Sequence, residues 1–271
     1  MAEFICPVCK AALCRSENTY ACPNRHSFDI AKQRYVNLLM SSAKGKTHGD
    51  DKAMIRARED FLSRGFYDTL SREVSTLAYL NCQYGGVVID AGCGEGKYIC
   101  DVLSYFEERG KAAEIIGIDI SKDALKSAAR RTKNIAFAVA SVSDMPIAER
   151  SADVIINIFA PFEAREFSRV LKENGTVIRV YPLEKHLWEL KSLIYETPYE
   201  NPFMEMEEDG FEIAEKTALK YKMELACEDA KSLFAMTPYF YRTGEEDKEK
   251  LDRIEKLVCT AEFGIVVYKK K

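Results

Sequence analysis

The chain has no run approaching the roughly 18 to 20 uncharged apolar residues that a helix needs to cross a bilayer, and its start, MAEFICPVCK, lacks the apolar core of a secretion signal. These absences predict a protein that stays in the cytoplasm and does not enter a membrane. A regular disulfide framework is missing too. Nine cysteines lie at irregular spacing, four of them within the first 22 residues, which suits metal binding better than cross-linking in a reducing compartment. Cys82, Cys93, Cys100, Cys227 and Cys259 are scattered and are expected to pack as free thiols. Nor is there a strong charge of one sign. A net charge of −4 argues against a surface that binds nucleic acid everywhere, yet residues 1–48 hold seven Lys or Arg against three Asp or Glu, leaving −8 for the remainder. Only the front end is anion-friendly. With 47% hydrophobic and 30% charged residues, the 271 residues suit a folded enzyme of one large and one small domain.

What is present begins with Cys6-Pro7-Val8-Cys9, then twelve residues, then Cys22-Pro23-Asn24-Arg25-His26. Two short turns, each offering a pair of soft or borderline donors, can close a tetrahedron around zinc, so Cys6, Cys9, Cys22 and His26 are the expected ligands. The stretch between them fits a small β-hairpin with Glu17 and Asn18 near its tip. Cys14 falls between the pairs and should be free. The alternative, redox or incidental cysteines, leaves a forty-residue module with almost no core, and a fold that small generally needs a metal or disulfides. Structural zinc can supply about 10–16 kcal/mol of binding energy that is also folding energy. Four protein ligands leave no open position, so the metal is structural and any chemistry lies elsewhere. Lys10, Arg15, Arg25, Lys32 and Arg34 with Tyr20, Phe28 and Tyr35 form a mix suited to phosphates and unstacked bases, or else a solvated surface with packing aromatics.

After the polar stretch Ser41 to Asp51, helical patterns cover about Asp51–Ser63 and Tyr67–Leu80, separated by Gly65. From Gly85 the runs VVID, IIGID, IAFAVA, ADVIINIF and TVIRVY alternate with helical segments, which predicts an α/β fold with a parallel sheet covered by helices. FEIAEKTALKYKMEL and CTAEFGIVVY are expected to close it with an antiparallel pair. The division expected is 1–40 for the zinc module, 41–84 for a linker and helices, and 85–271 for the main domain.

The first strand ends in Asp90-Ala91-Gly92-Cys93-Gly94-Glu95-Gly96, where ligands of open α/β sheets bind. Gly92, Gly94 and Gly96 let the backbone approach a ligand. Asp119, twenty-nine residues after Asp90, ends the next strand and is expected to accept both ribose hydroxyls of a nucleoside cofactor. A dinucleotide fingerprint would read G-x-G-x-x-G with a helix N-terminus clear for a pyrophosphate. Here the pattern is G-x-G-x-G, and Asp90 and Glu95 would repel a diphosphate but suit the sulfonium and ammonium of S-adenosylmethionine. The third strand ends at Ser141-Val142, whose backbone groups could bracket an adenine. The plainer alternative is a tight turn with Asp119 capping the helix that opens at Ser121. Together these features predict a Rossmann-like, class I fold of S-adenosylmethionine-dependent methyltransferases.

CPVC, CPNRH, FDIAKQRYVNLL, ARxxFLxxGFY at Ala57–Tyr67, DAGCGEG, HLWELKSLIY at His186–Tyr195 and MTPYFYR at Met236–Arg242 carry a resemblance over nearly the whole length. The chain resembles the bacterial 23S ribosomal RNA (guanine-N1)-methyltransferases. The resemblance implies methylation at N1 of a guanine in a hairpin loop of 23S rRNA, with the zinc module helping to hold the RNA. It also implies that Cys6, Cys9, Cys22 and His26 bind zinc, that Tyr67, Glu95, Gly96 and His186 line the methyl-donor pocket, and that a homodimer forms the RNA cleft. Some relatives protect against macrolide antibiotics. One departure is Glu173-Asn174-Gly175 before the fifth strand, where relatives often carry Pro-Gly-Gly; Asn174-Gly175 is expected to make the same turn.

Guanine N1 carries a proton, so attack on a methyl sulfonium needs a base. Glu163, Asp144 and Glu166 are the candidate acceptors, each with the alternative of a solvated carboxylate, and no catalytic residue is assigned. Phe159 and Phe162, after the fourth strand, could stack on the base. No Asn-Pro-Pro-Tyr tetrad appears there, which disfavours exocyclic amines as target, and no cysteine, which disfavours pyrimidine C5. Two other readings stay open at this point: the same fold acting on a small molecule or a protein, and a zinc-containing RNA-binding protein with a vestigial cofactor pocket.

Overall fold

The structure, a computed structural model, describes residues 4–40 and 51–271. The expected linker from residue 41 lies outside the described residues up to Asp51, which caps the first helix. No helix among the described residues is long and apolar enough to cross a membrane.

The N-terminal segment forms a three-stranded antiparallel sheet of β1 (Cys14–Arg15), β2 (Thr19–Ala21) and β3 (Ser27–Asp29). Glu17 and Asn18 sit at the expected tip, closed by a hydrogen bond from the Ser16 amide to the Thr19 carbonyl at 2.8 Å. The next strand, β4 (Tyr35–Asn37), leaves this sheet and pairs in parallel with β7 (Ala136–Val139). The end of the segment assigned to the zinc module is therefore an edge of the large sheet.

That sheet has eight strands. With β5 (Gly86–Ala91), β6 (Ala113–Asp119), β8 (Ala152–Ile158), β9 (Leu171–Pro182), β10 (Phe211–Ala226) and β11 (Lys256–Lys270), its order is β10-β11-β9-β8-β5-β6-β7-β4. The strands from β9 to β4 run parallel, and β11 pairs antiparallel with both β9 and β10. β5 and β8 are buried at every residue, as expected of strands covered on both faces. Alternate residues feed two cores. Val88, Val154 and Ile156 pack under the helices α1 (Lys52–Ser63), α2 (Asp68–Asn81), α3 (Lys97–Glu108) and α4 (Lys122–Arg131). Ile89 and Ile155 pack on the other face with Phe4, Cys6, Leu13, Tyr20 and Cys22 of the N-terminal segment. β10 is the opposite edge. Its exposed Lys216, Lys220 and Lys222 resist pairing with a further strand.

Asn174-Gly175 makes the expected turn, within a strand that starts earlier: β9 begins at Leu171, its pairing jumps from Ala152–Leu171 to Val154–Thr176, and a Cβ on Gly175 would meet the Leu171 Cβ at 2.9 Å and the Lys172 carbonyl at 3.0 Å, so the chain folds back between the two registers.

The chain proceeds β5 to β6 to β7, then returns to the other side of β5 as β8. The carboxyl ends of β5 and β8 thus flank the switch point where open α/β sheets take ligands.

Candidate functional site: a methyl-donor cleft and a zinc centre

At that switch point lies a cleft of about 860 Å³. Tyr67, Asp90, Gly92, Gly94, Glu95, Asp119, Ser141, Val142 and His186, expected at the ligand from sequence, all line it. Gly96 does not. Its φ of 85° starts α3, and a Cβ there would meet the Ala128 Cβ at 2.8 Å, so this glycine serves the contact between α3 and α4. Gly92 faces the cleft at φ 94°, and a Cβ there would come within 2.6 Å of Ala160 across the switch point.

The acidic groups differ in how they are held. Asp119 accepts the Gly94 amide at 2.8 Å and the Ser121 amide at 2.7 Å, one on each oxygen, which ties the glycine loop to the start of α4. A carboxylate oxygen can accept more than one hydrogen bond, which is what recognition of a ribose diol asks of it. Glu95 is buried and ion-paired with Arg131, so its charge is largely answered inside the protein rather than offered to the cleft. Burial raises its carboxyl, against the pull of Arg131. Asp90 is 1% exposed, and its Oδ1 has no hydrogen-bond partner. Burial first, then the charges of Asp119 and Glu95, push its carboxyl well above the usual range. An unsatisfied buried carboxyl beside a ligand cleft suits a cationic group: this is the fit the ammonium and sulfonium of S-adenosylmethionine require.

His186 and Tyr67 form the far wall. The His186 Nδ1 accepts the Glu262 amide at 3.1 Å, which leaves the proton of the neutral ring on Nε2, 3.4 Å from the Tyr67 hydroxyl. Burial, and secondarily the charge of Lys191, push His186 down to about 3. A neutral His186 with Nδ1 occupied is a hydrogen-bond donor here, not a base.

Beyond the residues expected from sequence, the cleft is lined by Arg58 from α1, Tyr98 from α3, Arg179 from β9, and Met236 to Tyr239. Arg179 pairs with Glu208 at 2.6 Å and lies over the Phe162 ring. Arg58 had a signal as part of ARxxFLxxGFY and the last group as part of MTPYFYR; Tyr98 and Arg179 had none. Phe159 and Phe162 part company. Phe159, with a left-handed φ of 53°, is 47% exposed and lines the cleft. Phe162 packs against Phe167, Phe211 and Tyr268 and is not available to a base.

In the N-terminal segment, the donor atoms of Cys6, Cys9, Cys22 and His26 all lie within 4.8 Å of one another. Sulfur-to-sulfur separation is 3.7 Å for Cys9 and Cys22, and sulfur-to-Nδ1 separations are 3.5 and 3.4 Å for Cys6 and Cys22 to His26. A zinc tetrahedron with bonds of about 2.3 Å to sulfur and about 2.0 Å to nitrogen has edges of about 3.8 and 3.5 Å. The four residues therefore fit one structural zinc. Cys14 is exposed and outside the cluster. The surface read as an RNA platform is narrower than the sequence suggested. Tyr20 and Tyr35 are buried, Arg34 donates to the Ala129 carbonyl at 2.7 Å, and Lys10 pairs with Asp144, leaving Arg15, Arg25 and Lys32 exposed around half-buried Phe28.

Sheet order, glycine loop and an acid ending β6 define an S-adenosylmethionine-dependent methyltransferase. Residues 83–255 match the family model described as "Methyltransferase domain", and residues 4–45 match "RlmA, N-terminal", a zinc ribbon. A Bacillus subtilis protein, YxjB, provisionally named a 23S rRNA (guanine-N(1)-)-methyltransferase, is 34% identical over 199 residues, covering 71% of this chain and 68% of its own. A Micromonospora griseorubida protein with the same provisional name is 36% identical, covering 68% and 67%. The 23S rRNA (guanine(748)-N(1))-methyltransferase of Streptomyces fradiae is 37% identical, covering 68% and 65%. The chain belongs to the 23S rRNA (guanine-N1)-methyltransferase family.

Proposed function

We propose that this protein transfers a methyl group from S-adenosylmethionine to N1 of a guanine in a hairpin loop of 23S rRNA. The observation that carries the reading is one cleft holding both the glycine loop with unsatisfied Asp90 and the exposed ring of Phe159. The bound donor supplies a methyl carbon made electrophilic by its attachment to a sulfonium. Asp90 offers its carboxyl to the donor's cationic end and Asp119 its carboxylate to the ribose. Ser141 and Val142 flank the adenine, while Tyr67 and His186 close the pocket against water, which strengthens every polar contact inside. Phe159 provides a platform for a base splayed from a loop, where unstacking is cheap. Cys6, Cys9, Cys22 and His26 hold zinc, and the cations around them meet RNA phosphates. The unit 1–40 thus serves recognition, 41–84 joins it to the catalytic domain 85–271, and the protein works in the cytoplasm as a homodimer.

The test is primer extension on 23S rRNA from cells with and without the gene, since N1 methylation blocks pairing and stops reverse transcriptase. A stop at a loop guanine that vanishes in the deletion strain supports the assignment. An unchanged pattern of stops refutes it.

A further inference from the structure

The reaction needs an acceptor for the N1 proton, and sequence left three carboxylates open. Asp144 is bound to Lys10 at 2.9 Å on the outer surface. Glu166 takes two hydrogen bonds from Arg169, at 2.6 and 2.8 Å, and one from the Met145 amide. Neither lines the cleft. Glu163 does, half-buried, and its carboxylate makes no hydrogen bond or ion pair among the described residues.

The other acid–base groups lining the cleft are engaged or neutral. Asp119 holds two backbone amides, Glu95 holds Arg131, and the His186 Nδ1 is occupied. Asp90 is buried against the glycine loop, on the side where the donor's cation must lie.

Glu163 stands where a target base would arrive. It follows Phe159 through a turn fixed by the buried Asn157, whose Nδ2 donates to the Ala91 carbonyl at 3.3 Å and the Pro161 carbonyl at 3.1 Å. Phe159 holds a left-handed φ that a non-glycine residue rarely adopts, and such strain persists where surroundings enforce it, often at functional sites. The turn thereby brings an exposed aromatic face and an unengaged carboxylate to one cleft. Guanine presents two adjacent donors on its pairing edge, N1–H and the exocyclic amine. A carboxylate has two acceptor oxygens at matching separation.

We propose that Glu163 reads the guanine edge and is the general base, an assignment that rests on the guanine-N1 reading above. One Glu163 oxygen accepts the N1 proton. N1 gives its electron pair to the methyl carbon, whose bond to sulfur breaks with the pair retained by sulfur, so charge and atoms balance without another reactant. Phe159 holds the ring in line during transfer.

The experiment uses the full chain, in-vitro-transcribed 23S rRNA and tritiated S-adenosylmethionine, with donor affinity from calorimetry and the product nucleoside from mass spectrometry. For Glu163→Gln, kcat falls by about 10²- to 10³-fold while the donor Kd stays within about twofold. The residual rate climbs by about tenfold per pH unit, more steeply than wild type, as hydroxide takes over proton removal. In Glu163→Ala, added formate restores part of the rate by filling the vacated space with a carboxylate. A Glu163→Gln rate within threefold of wild type overturns the proposal. So does a loss of rate matched by an equal loss of donor or RNA affinity with an unchanged pH slope, since that marks a structural role. Should wild type itself yield no 1-methylguanosine, the guanine-N1 reading fails; normal wild-type product with an active Glu163→Gln sinks only the assignment of the base.

Discussion

The Ile5 amide donates to the Pro146 carbonyl at 2.8 Å, and beside it Phe4 forms an antiparallel bridge with Ile147. The segment that carries the Cys6, Cys9, Cys22 and His26 cluster is thus stitched to the loop running on from Ser141 and Val142, which line the cleft. Met145 and Ile147 share one buried cluster with Cys6, Leu13 and Cys22. A metal held by Cys6, Cys9, Cys22 and His26 would therefore also steady one wall of the cleft.

Removing zinc should therefore weaken donor binding and not only RNA binding. Chelation, or Cys22→Ser, is expected to raise the Kd for S-adenosylmethionine by about tenfold, within the usual range of coupling between two sites. Calorimetry before and after chelation, with zinc added back, measures it. Donor affinity unmoved by zinc loss would show that the two sites are independent.

Donor binding should release a proton. In the free protein, burial and the neighbouring Asp119 and Glu95 favour the neutral form of Asp90, whereas a bound cation favours the carboxylate. Affinity then rises with pH until the free protein's Asp90 is itself ionised, and levels off beyond that. Calorimetry in buffers of different ionisation enthalpy counts the proton. Asp90→Asn should bind the donor more weakly, with no proton released and no pH dependence from this site.

His186 should make the fold acid-sensitive. Its folded value of about 3 lies below the ordinary 6.5, so the unfolded chain takes up a proton that the native one refuses. Stability is complete above about pH 6.5 and declines as pH falls toward 3, by roughly 2 kcal/mol between 6.5 and 5. His186→Asn, whose Oδ1 can take over the Glu262 amide, should flatten that decline. Urea midpoints at pH 8 and pH 5 compare the two proteins, and parallel losses in both would rule His186 out as the cause.

Two neighbouring phenylalanines should answer differently to truncation. Phe159→Ala removes an exposed platform, and a lost stacking contact worth about 1–3 kcal/mol should raise the RNA KM at least fivefold while leaving the melting temperature close to wild type. Phe162→Ala cuts into the aromatic cluster with Phe167, Phe211 and Tyr268. There the expected loss is about 3–5 kcal/mol of stability. Thermal melting together with steady-state kinetics separates them, and a reversed pattern would contradict the placement of the two rings.

Local chemistry made much of this legible. The spacing of Cys6, Cys9, Cys22 and His26 suffices for a metal site because a short turn sets each pair. VVID, IIGID and ADVIINIF are mostly apolar because strands covered on both faces leave few polar positions, and Asp153 and Asn157 occupy two of them only with hydrogen-bond partners. What failed depended on contacts between distant segments. Gly96 looks like Gly92 until α4 is seen against it, and Tyr20 and Tyr35 look like base platforms until the large sheet buries them. Tyr98 and Arg179 reach the cleft from α3 and β9, and nothing near either residue announces that destination. That β9 begins upstream of the Asn174-Gly175 turn, at Leu171, shows only in its pairing with Ala152.

The three residues of β4 have a partner about a hundred positions further along, in β7. As the chain leaves the ribosome, the four metal ligands are all out early, and a zinc ion can be captured by a short nascent segment. The edge strand that follows must wait for Phe137 to Val139 to emerge before it can dock. The seam that joins the N-terminal segment to the large sheet therefore closes only after β7 has emerged, so a chain stalled before it could hold a metal at its cysteines while the cleft was still unmade.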